Sequence, residues 1–157
     1  MRTICFLFAF FFLQQLKAQT IQVTGEVTKK LNLTKDDLAK MNRTTVTAKD
    51  KDGKDHTYKG VAVAEILTQA GVTTGAQLRG ANLSKYLLVT CADGYAVVFS
   101  LAELDAAFND KVVILADESD GQPLPVDKGP WRIVVPGEKK PARSCYRVTR
   151  LNVGFAK

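Results

Sequence analysis

The chain has 157 residues, of which 46% are hydrophobic and 24% charged, and its 22 Lys and Arg against 16 Asp and Glu give a formal net charge of +6. This composition excludes a disordered chain, which would be poorer in apolar residues, and a low-complexity or collagen-like protein. The basic residues are spread along the chain and accompany no nucleic-acid-binding motif, so we expect no nucleic-acid partner.

Residues 1–18 have the pattern of a secretory signal peptide, in which Arg2 precedes an uncharged apolar stretch and Ala18 marks the expected cleavage point. The apolar stretch is shorter than the ~20 residues that a spanning helix needs, so no membrane span is expected. Because the pattern has no twin arginine, it predicts export through the general secretory route to the periplasm or the extracellular space. Residues 19–157 are then near the usual size of one domain.

The first half of the domain begins with a strand in which IQVTGEV alternates apolar and polar positions. Thr34 is expected to cap a short helix, with Asp37 as its capping-box partner. Runs of β-branched and aromatic residues on either side of DKDG (50–53) predict a β-hairpin. Residues 61–71, VAVAEILTQAG, are predicted to form a helix that ends at Gly71.

The second half contains four apolar or alternating runs typical of strands, which are KYLLVT (85–90), YAVVF (95–99), KVVILA (111–116) and WRIVVP (131–136). Asp93 and Gly94 predict a tight turn between the first two runs. Ser100 and Glu103 form a capping-box pattern that predicts a helix through SLAELDAAF. CYRVTRLNV (145–153) is predicted to be the last strand. Seven or eight strands and three helices without strict β-α-β alternation predict an α+β domain.

Three blocks in this order resemble the oxidoreductase molybdopterin-binding domain family, whose best-known members are sulfite oxidases. They are YKGVAVAEILTQAGV (58–72), CADGYAVVFSLAEL (91–104) and the stretch from DGQPLP to TRLNV (120–153). The resemblance implies a mixed α+β fold with several sheets and a β-grasp-like part.

The resemblance also implies a site. In that family a cysteine thiolate at the end of a strand binds molybdenum beside the dithiolene sulfurs of the pterin, and Cys91 falls at that position. A soft thiolate suits a sulfur-bound metal. Arg143, Ser144 and Arg147 fall where relatives contact the phosphate of the pterin, so they are the candidate cofactor-binding residues.

Two departures from the family pattern predict a reduced cofactor site. Longer relatives have a further N-terminal part that supplies histidine and arginine contacts to the pterin, and this sequence does not contain it. The molybdenum cofactor is ordinarily inserted before folded export, whereas the general secretory route threads unfolded chains. We therefore expect this protein to lack the molybdenum cofactor, although the resemblance leaves its binding open.

Cys91 has three interpretations that the sequence leaves open. It is a molybdenum ligand, as the resemblance implies, or one half of a disulfide with Cys145, or a buried thiol without a function. The disulfide is favoured by an oxidising compartment and by the count of cysteines, because Cys5 leaves with the signal peptide and two remain.

The other candidate side chains have structural explanations. Asp93 is expected to serve its turn, Tyr95 to be a half-buried cross-strand aromatic, and Glu103 to complete its capping box. Trp131 is expected in the core. His56, the only histidine, is expected to lie exposed on a strand without a catalytic partner.

Four basic residues near the end of the chain, Lys139, Lys140, Arg143 and Arg147, are candidates for holding an anionic group, although a solvated loop is the slightly favoured interpretation. The function favoured by the sequence is an exported module that binds a small anionic ligand or the pterin. The alternative is a molybdenum-cofactor oxidoreductase with Cys91 as the metal ligand and a possible redox partner. A purely structural or interaction domain is the third class.

Overall fold

A computed structural model describes residues 19–156, which form two β-sheets, three short α-helices and three single-turn 3-10 helices. The strands are β1 Ile21–Gly25, β2 Leu31–Leu33, β3 Arg43–Lys49, β4 Asp55–Ala62, β5 Lys85–Cys91, β6 Ala96–Ser100, β7 Ile114–Ser119, β8 Gln122–Pro123, β9 Arg132–Val134 and β10 Val148–Phe155. The α-helices are α1 Lys35–Ala39, α2 Val63–Gln69 and α3 Leu101–Leu104. The 3-10 helices are Gly75–Gln77, Gly80–Ser84 and Pro141–Arg143.

The first sheet has the strand order β2-β1-β10-β5-β6, and in it β1 and β10 are parallel while the other pairs are antiparallel. The second sheet has the order β3-β4-β7-β8, with β9 also pairing with β7, and all of its pairs are antiparallel. Mixed strand directions and few helices confirm the α+β class.

The main core lies where the first sheet meets α2 and the strands β7 and β9. β5 alternates buried and partly buried residues, and its buried positions are Leu87, Val89 and Cys91. Helix α2 buries Val63 and Ile66 against the same cluster. The period-2 and helical patterns of the sequence therefore describe which faces point inward.

Helix α2 starts two residues later than its sequence pattern predicts. Val61 pairs with Leu115 and Ala62 with Ile114, so both residues stay in strand β4. The last strand likewise begins later than predicted, at Val148. Tyr146, in the loop before it, forms an isolated bridge with Arg132 of β9 instead.

The predicted capping box at Ser100 is only half formed, which corrects the role expected for Glu103. The Ser100 hydroxyl accepts a hydrogen bond from the Glu103 backbone N–H at 3.2 Å. The Glu103 carboxylate instead accepts a hydrogen bond from Arg143 at 2.7 Å. Helix α3 ends at Leu104, where the expected helix would have run to Phe108. The Thr34 capping box, by contrast, is complete.

The predicted signal peptide, residues 1–18, lies outside the described residues. Within residues 19–156, no helix has the length and apolar character needed to cross a bilayer.

The centre of the first sheet generates a stability prediction. Leu151 on β10 is fully buried between β1 and β5. Leu151→Ala should lower the free energy of unfolding by about 2–5 kcal/mol, because it removes buried methyl groups and leaves a cavity. The matched control is Leu83→Ala, since Leu83 is 46% exposed. Urea denaturation measures both, and an equal effect of the two variants would contradict this packing.

Candidate functional site

Cys91 is the last residue of β5 and is held by backbone hydrogen bonds on both sides. Its N–H donates to Tyr95 O at 2.9 Å and its carbonyl accepts from Gly94 N–H at 3.0 Å, which closes the Asp93–Gly94 turn. Its Cα is paired with that of Val148 on β10. The side chain is only 3% exposed, so the thiol is buried on a rigid strand end.

Cys145 lies in the loop before β10, just after the 3-10 helix Pro141–Arg143. Its N–H donates to Arg143 O and its carbonyl accepts from Ile133 N–H, both at 2.9 Å. The side chain is 4% exposed. The two cysteines therefore come from different parts of the chain, and each is fixed by its own backbone contacts.

Cys91 and Cys145 line the same cavity. A hydrogen bond to the Cys145 thiol, together with burial, raises the pKa of Cys91. The same hydrogen bond from Cys91 lowers the pKa of Cys145, and the positive charge of Arg132 also acts in that direction. Both residues are free thiols in the structure, so the disulfide stays a prediction.

The cavity beside the two thiols has a volume of about 280 Å³. Besides the cysteines, its wall is formed by seven residues: Lys51, Asp93, Tyr95, Pro141, Ala142, Ser144 and Tyr146. A larger hollow of about 610 Å³ contains Lys51 and Tyr146 in its wall as well. These two residues therefore stand at the junction of the two spaces.

A buried ion pair forms the floor of the larger hollow. Arg132 is 2% exposed, and its Nη1 donates to Asp50 Oδ2 and to the Tyr58 hydroxyl oxygen, both at 3.0 Å. Its Nη2 donates to Ser144 O at 3.3 Å. The guanidinium carbon lies 4.7 Å from the ring centre of Tyr58 and 4.3 Å from that of Tyr146, so Arg132 also makes two cation–π contacts.

Asp50 is the acceptor that balances this arginine. Its Oδ2 also accepts from the Tyr58 hydroxyl at 3.0 Å, and its Oδ1 accepts from the Tyr146 hydroxyl at 3.1 Å. Burial works to raise the pKa of Asp50, but the hydrogen bonds from Arg132, the Lys51 N–H and Tyr58, together with the charge of Arg132, outweigh it and hold this pKa well below its usual range. Burial raises the pKa of Tyr58 to about 12. The carboxylate is therefore ionised and the phenols are neutral at physiological pH.

Two lysines complete a cationic cluster around Tyr146. Lys51 Nζ lies 5.3 Å and Lys128 Nζ 5.7 Å from the centre of the Tyr146 ring, which already contacts Arg132. Among residues 19–156, neither lysine has a carboxylate within ion-pair distance. We call Lys51, Lys128, Arg132 and Tyr146 the Tyr146 cluster.

His56 lies at the other end of the larger hollow and has two carboxylate partners, which corrects the expectation that it has none. Nδ1 is 2.7 Å from Asp120 Oδ2, and Nε2 is 3.0 Å from Asp52 Oδ2. Its side chain is 26% exposed. The hydrogen bonds to Asp120 and Asp52 raise the pKa of His56, so the imidazolium form is favoured.

The four basic candidates are not gathered at Cys91. Arg143 donates from Nε to Glu138 at 2.8 Å and from Nη1 to Glu103 at 2.7 Å, and it lines a separate hollow beside Phe99. Arg147, with a φ of 54°, lines another small hollow beside Pro130 and Trp131. Lys139 and Lys140 are exposed.

Of the three residues predicted to contact the pterin phosphate, the structure brings only Ser144 to the Cys91 cavity. Its hydroxyl accepts from Val135 N–H at 3.1 Å and is buried. The cofactor-binding roles of Arg143, Ser144 and Arg147 stay predictions.

The structural explanations for the remaining candidates fare differently. Asp93 serves its turn, because its Oδ1 accepts from Tyr95 N–H at 3.0 Å. Trp131 lies in the core at 2% exposure. Tyr95 is 50% exposed, but its expected cross-strand position is wrong: it precedes β6, and its hydroxyl donates to Ala142 O at 3.0 Å.

Sequence reasoning missed the Tyr146 cluster and its partner Asp50. One signal was present, since Arg132 interrupts the apolar run of WRIVVP and a buried arginine requires a partner. No comparable signal pointed to Lys51 or Lys128, because each sits in a polar loop where a lysine is ordinary.

Comparison with known proteins agrees with this architecture. The family model of the oxidoreductase molybdopterin binding domain matches residues 13–153. The chain belongs to this family. No curated protein sequence is significantly similar to the chain.

Among solved structures, the sulfane dehydrogenase SoxCD from Paracoccus pantotrophus has a similar fold, with a TM-score of 0.68 and 24% sequence identity. The match covers 86% of this chain but only 38% of the SoxCD chain. The chain therefore spans less than half the length of that neighbour, and the likeness concerns the fold.

Of the residues that the family resemblance assigns to the cofactor, Cys91 and Ser144 line one cavity, which Cys145 also lines. Arg143 and Arg147, which the family pattern assigns to the phosphate, lie at other surfaces.

The carboxylate pair around His56 generates a pH prediction. Because His56 is the only histidine of the chain, its ring proton signal in NMR is assigned without ambiguity in an untagged protein. We expect a pKa above the ordinary 6.5. Since the pKa of the folded state is raised, the stabilisation by this contact is complete below the ordinary pKa and is lost as the pH rises through the raised value.

Asp120→Asn should lower the His56 pKa more than Asp52→Asn, because the hydrogen bond to Asp120 is its largest cause. Asp36→Asn is a control in helix α1, remote in sequence from this pair. An unshifted His56 pKa in the wild-type protein would contradict the arrangement.

Proposed function

We propose that this protein is an exported binding module of the molybdopterin-binding domain family, which takes a small anionic ligand at the Tyr146 cluster. The observation that carries the proposal is the convergence of Lys51, Lys128 and Arg132 on Tyr146, where the two cavities meet. Carboxylate and oxyanion groups form their strongest hydrogen bonds with such cationic donors.

The carboxylates near the cluster are largely engaged by partners of their own. Asp50 is paired with Arg132, and Asp52 and Asp120 both contact His56. The wall also contains Asp127, which like Lys51 and Lys128 has no ion-pair partner among residues 19–156, so the two ammonium groups are the unpaired cations of this wall. The hollow of about 610 Å³ beside them gives room for a small molecule and its hydration.

Export is part of the proposal and is supported by the pattern of residues 1–18, in which a short apolar stretch follows Arg2 and precedes Ala18. The compartment that follows is the periplasm or the extracellular space. A small anion that enters the same compartment is then the ligand class, and no catalytic step is assigned to the module.

The alternative function is a molybdenum-cofactor oxidoreductase in which Cys91 binds the metal. The position of Cys91 at the strand end, facing a cavity, supports it. A redox partner would then be needed to carry electrons away. The second thiol and the positions of Arg143 and Arg147 favour the binding module.

Titration with inorganic phosphate tests the anion site. The full-length protein should bind phosphate measurably by isothermal calorimetry. Lys51→Gln combined with Lys128→Gln should raise the Kd by about tenfold or more, since a hydrogen bond to a charged group contributes ~1.5–3 kcal/mol. The matched control is Lys139→Gln with Lys140→Gln, which removes the same charge from an exposed loop. Equal weakening by both double variants would contradict a specific site at Tyr146.

Protein recovered from the exported fraction of the native cells tests export and the alternative together. Its mass should correspond to a chain that starts at Gln19, and metal analysis should find no stoichiometric molybdenum. About one molybdenum atom per chain would instead support the enzyme with a thiolate-bound metal. A chain that retains residues 1–18 in the cytoplasm would contradict export.

A further inference from the structure

The two cysteines of the described residues, Cys91 and Cys145, are both buried and both line one cavity. Cys91 and Cys145 are both below 5% exposed, come from separate backbone segments and line the same space of about 280 Å³. The remaining wall offers an amine, a carboxylate, hydroxyls and apolar groups but no imidazole or thioether. Among the described residues, the two thiols are the only soft metal ligands in this wall.

This donor set selects among metals. Within residues 19–156 there is no group of three or more His, Cys, Asp and Glu side chains able to hold a metal ion. Zinc in structural sites takes four ligands in a tetrahedron, so two thiolates alone do not satisfy it. A monovalent d¹⁰ cation accepts two thiolates in a linear arrangement, and soft sulfur ligands select Cu(I) among the biological metals.

We propose that the Cys91–Cys145 pair is a two-coordinate binding site for Cu(I). Binding joins Cu⁺ to both sulfurs and releases the two thiol protons to water, with no change in oxidation state. The product is a bis-thiolate complex with a single negative charge. This site is separate from the anion site proposed above, although Lys51 lies in the walls of both cavities.

The wall of the cavity carries charges of both signs, Lys51 and Asp93. Lys51, in the wall of the same cavity, supplies a positive charge near the anionic complex. Arg132 is held close by through its hydrogen bond to Ser144 O, one residue before Cys145.

The backbone holds the two sulfurs in place without a bridge. Cys91 is fixed by the turn to Tyr95 and Cys145 by its carbonyl contact with Ile133 N–H. Each ligand is thus anchored on a different element, and both are present as free thiols. A preorganised pair of ligands lowers the cost of ordering them when the ion binds.

The test is Cu(I) titration of the full-length protein carrying Cys5→Ser, so that Cys91 and Cys145 are the only thiols. The reduced protein, kept free of oxygen, should withdraw about one Cu(I) per chain from a chromogenic chelator. Cys91→Ser and Cys145→Ser should each weaken Cu(I) binding by about a hundredfold or more, because even the loss of an outer partner of a metal site costs 10–100-fold. Lys139→Gln with Lys140→Gln is the control that should keep full binding.

X-ray absorption of the same protein loaded with Cu(I) gives a readout that needs no variant of Cys91 or Cys145. A ligand shell of sulfur alone supports the site, whereas nitrogen or oxygen ligands overturn it. Failure to compete with the chelator, or Cu(I) uptake that survives Cys145→Ser, also overturns it. Phosphate titration of the cysteine variants separates the two proposals, since the Tyr146 cluster should bind phosphate with or without the thiols.

Discussion

The buried ion pair between Arg132 and Asp50 is the interaction on which the architecture of the site depends. Taking two charges out of water is costly, and such a pair persists only when further hydrogen bonds satisfy both partners. Here Tyr58 and Tyr146 donate to the carboxylate while Ser144 O accepts from the guanidinium. These partners come from the β3–β4 hairpin, from β9 and from the loop before β10. The ion pair thereby holds the loop that carries Cys145 against the second sheet.

The same pair determines which charges face the two cavities. Because Asp50 accepts hydrogen bonds from Arg132 and from two phenols, it does not pair with Lys51 or Lys128. Both lysines instead lie against the Tyr146 ring, where a cation is attracted by the aromatic face. Arg143, unlike the two lysines, is paired with carboxylates, those of Glu103 and Glu138. The unpaired cations Lys51 and Lys128 thus come from loops that the family resemblance does not mark.

The fold was accessible from sequence because it depends on patterns that each element carries locally. The alternation of β5 and the capping box at Thr34 need no knowledge of distant residues. The site depends on contacts between residues far apart, such as Asp50 and Tyr146, and no periodicity records them. Glu103 shows the limit clearly. The capping-box pattern predicts that its carboxylate contacts the Ser100 backbone, but the carboxylate accepts a hydrogen bond from Arg143, forty positions away.

Family membership and site chemistry separate in this protein because a fold supplies a cavity and side chains supply its donors. Cys91 stands at the end of β5 and lines a cavity. Cys145 lines the same cavity, so the space offers two soft thiols and not one. A single thiolate completes the coordination of a metal that brings its own sulfur ligands. Two thiolates are enough for a bare soft cation, so the proposed Cu(I) site needs no ligand beyond Cys91 and Cys145.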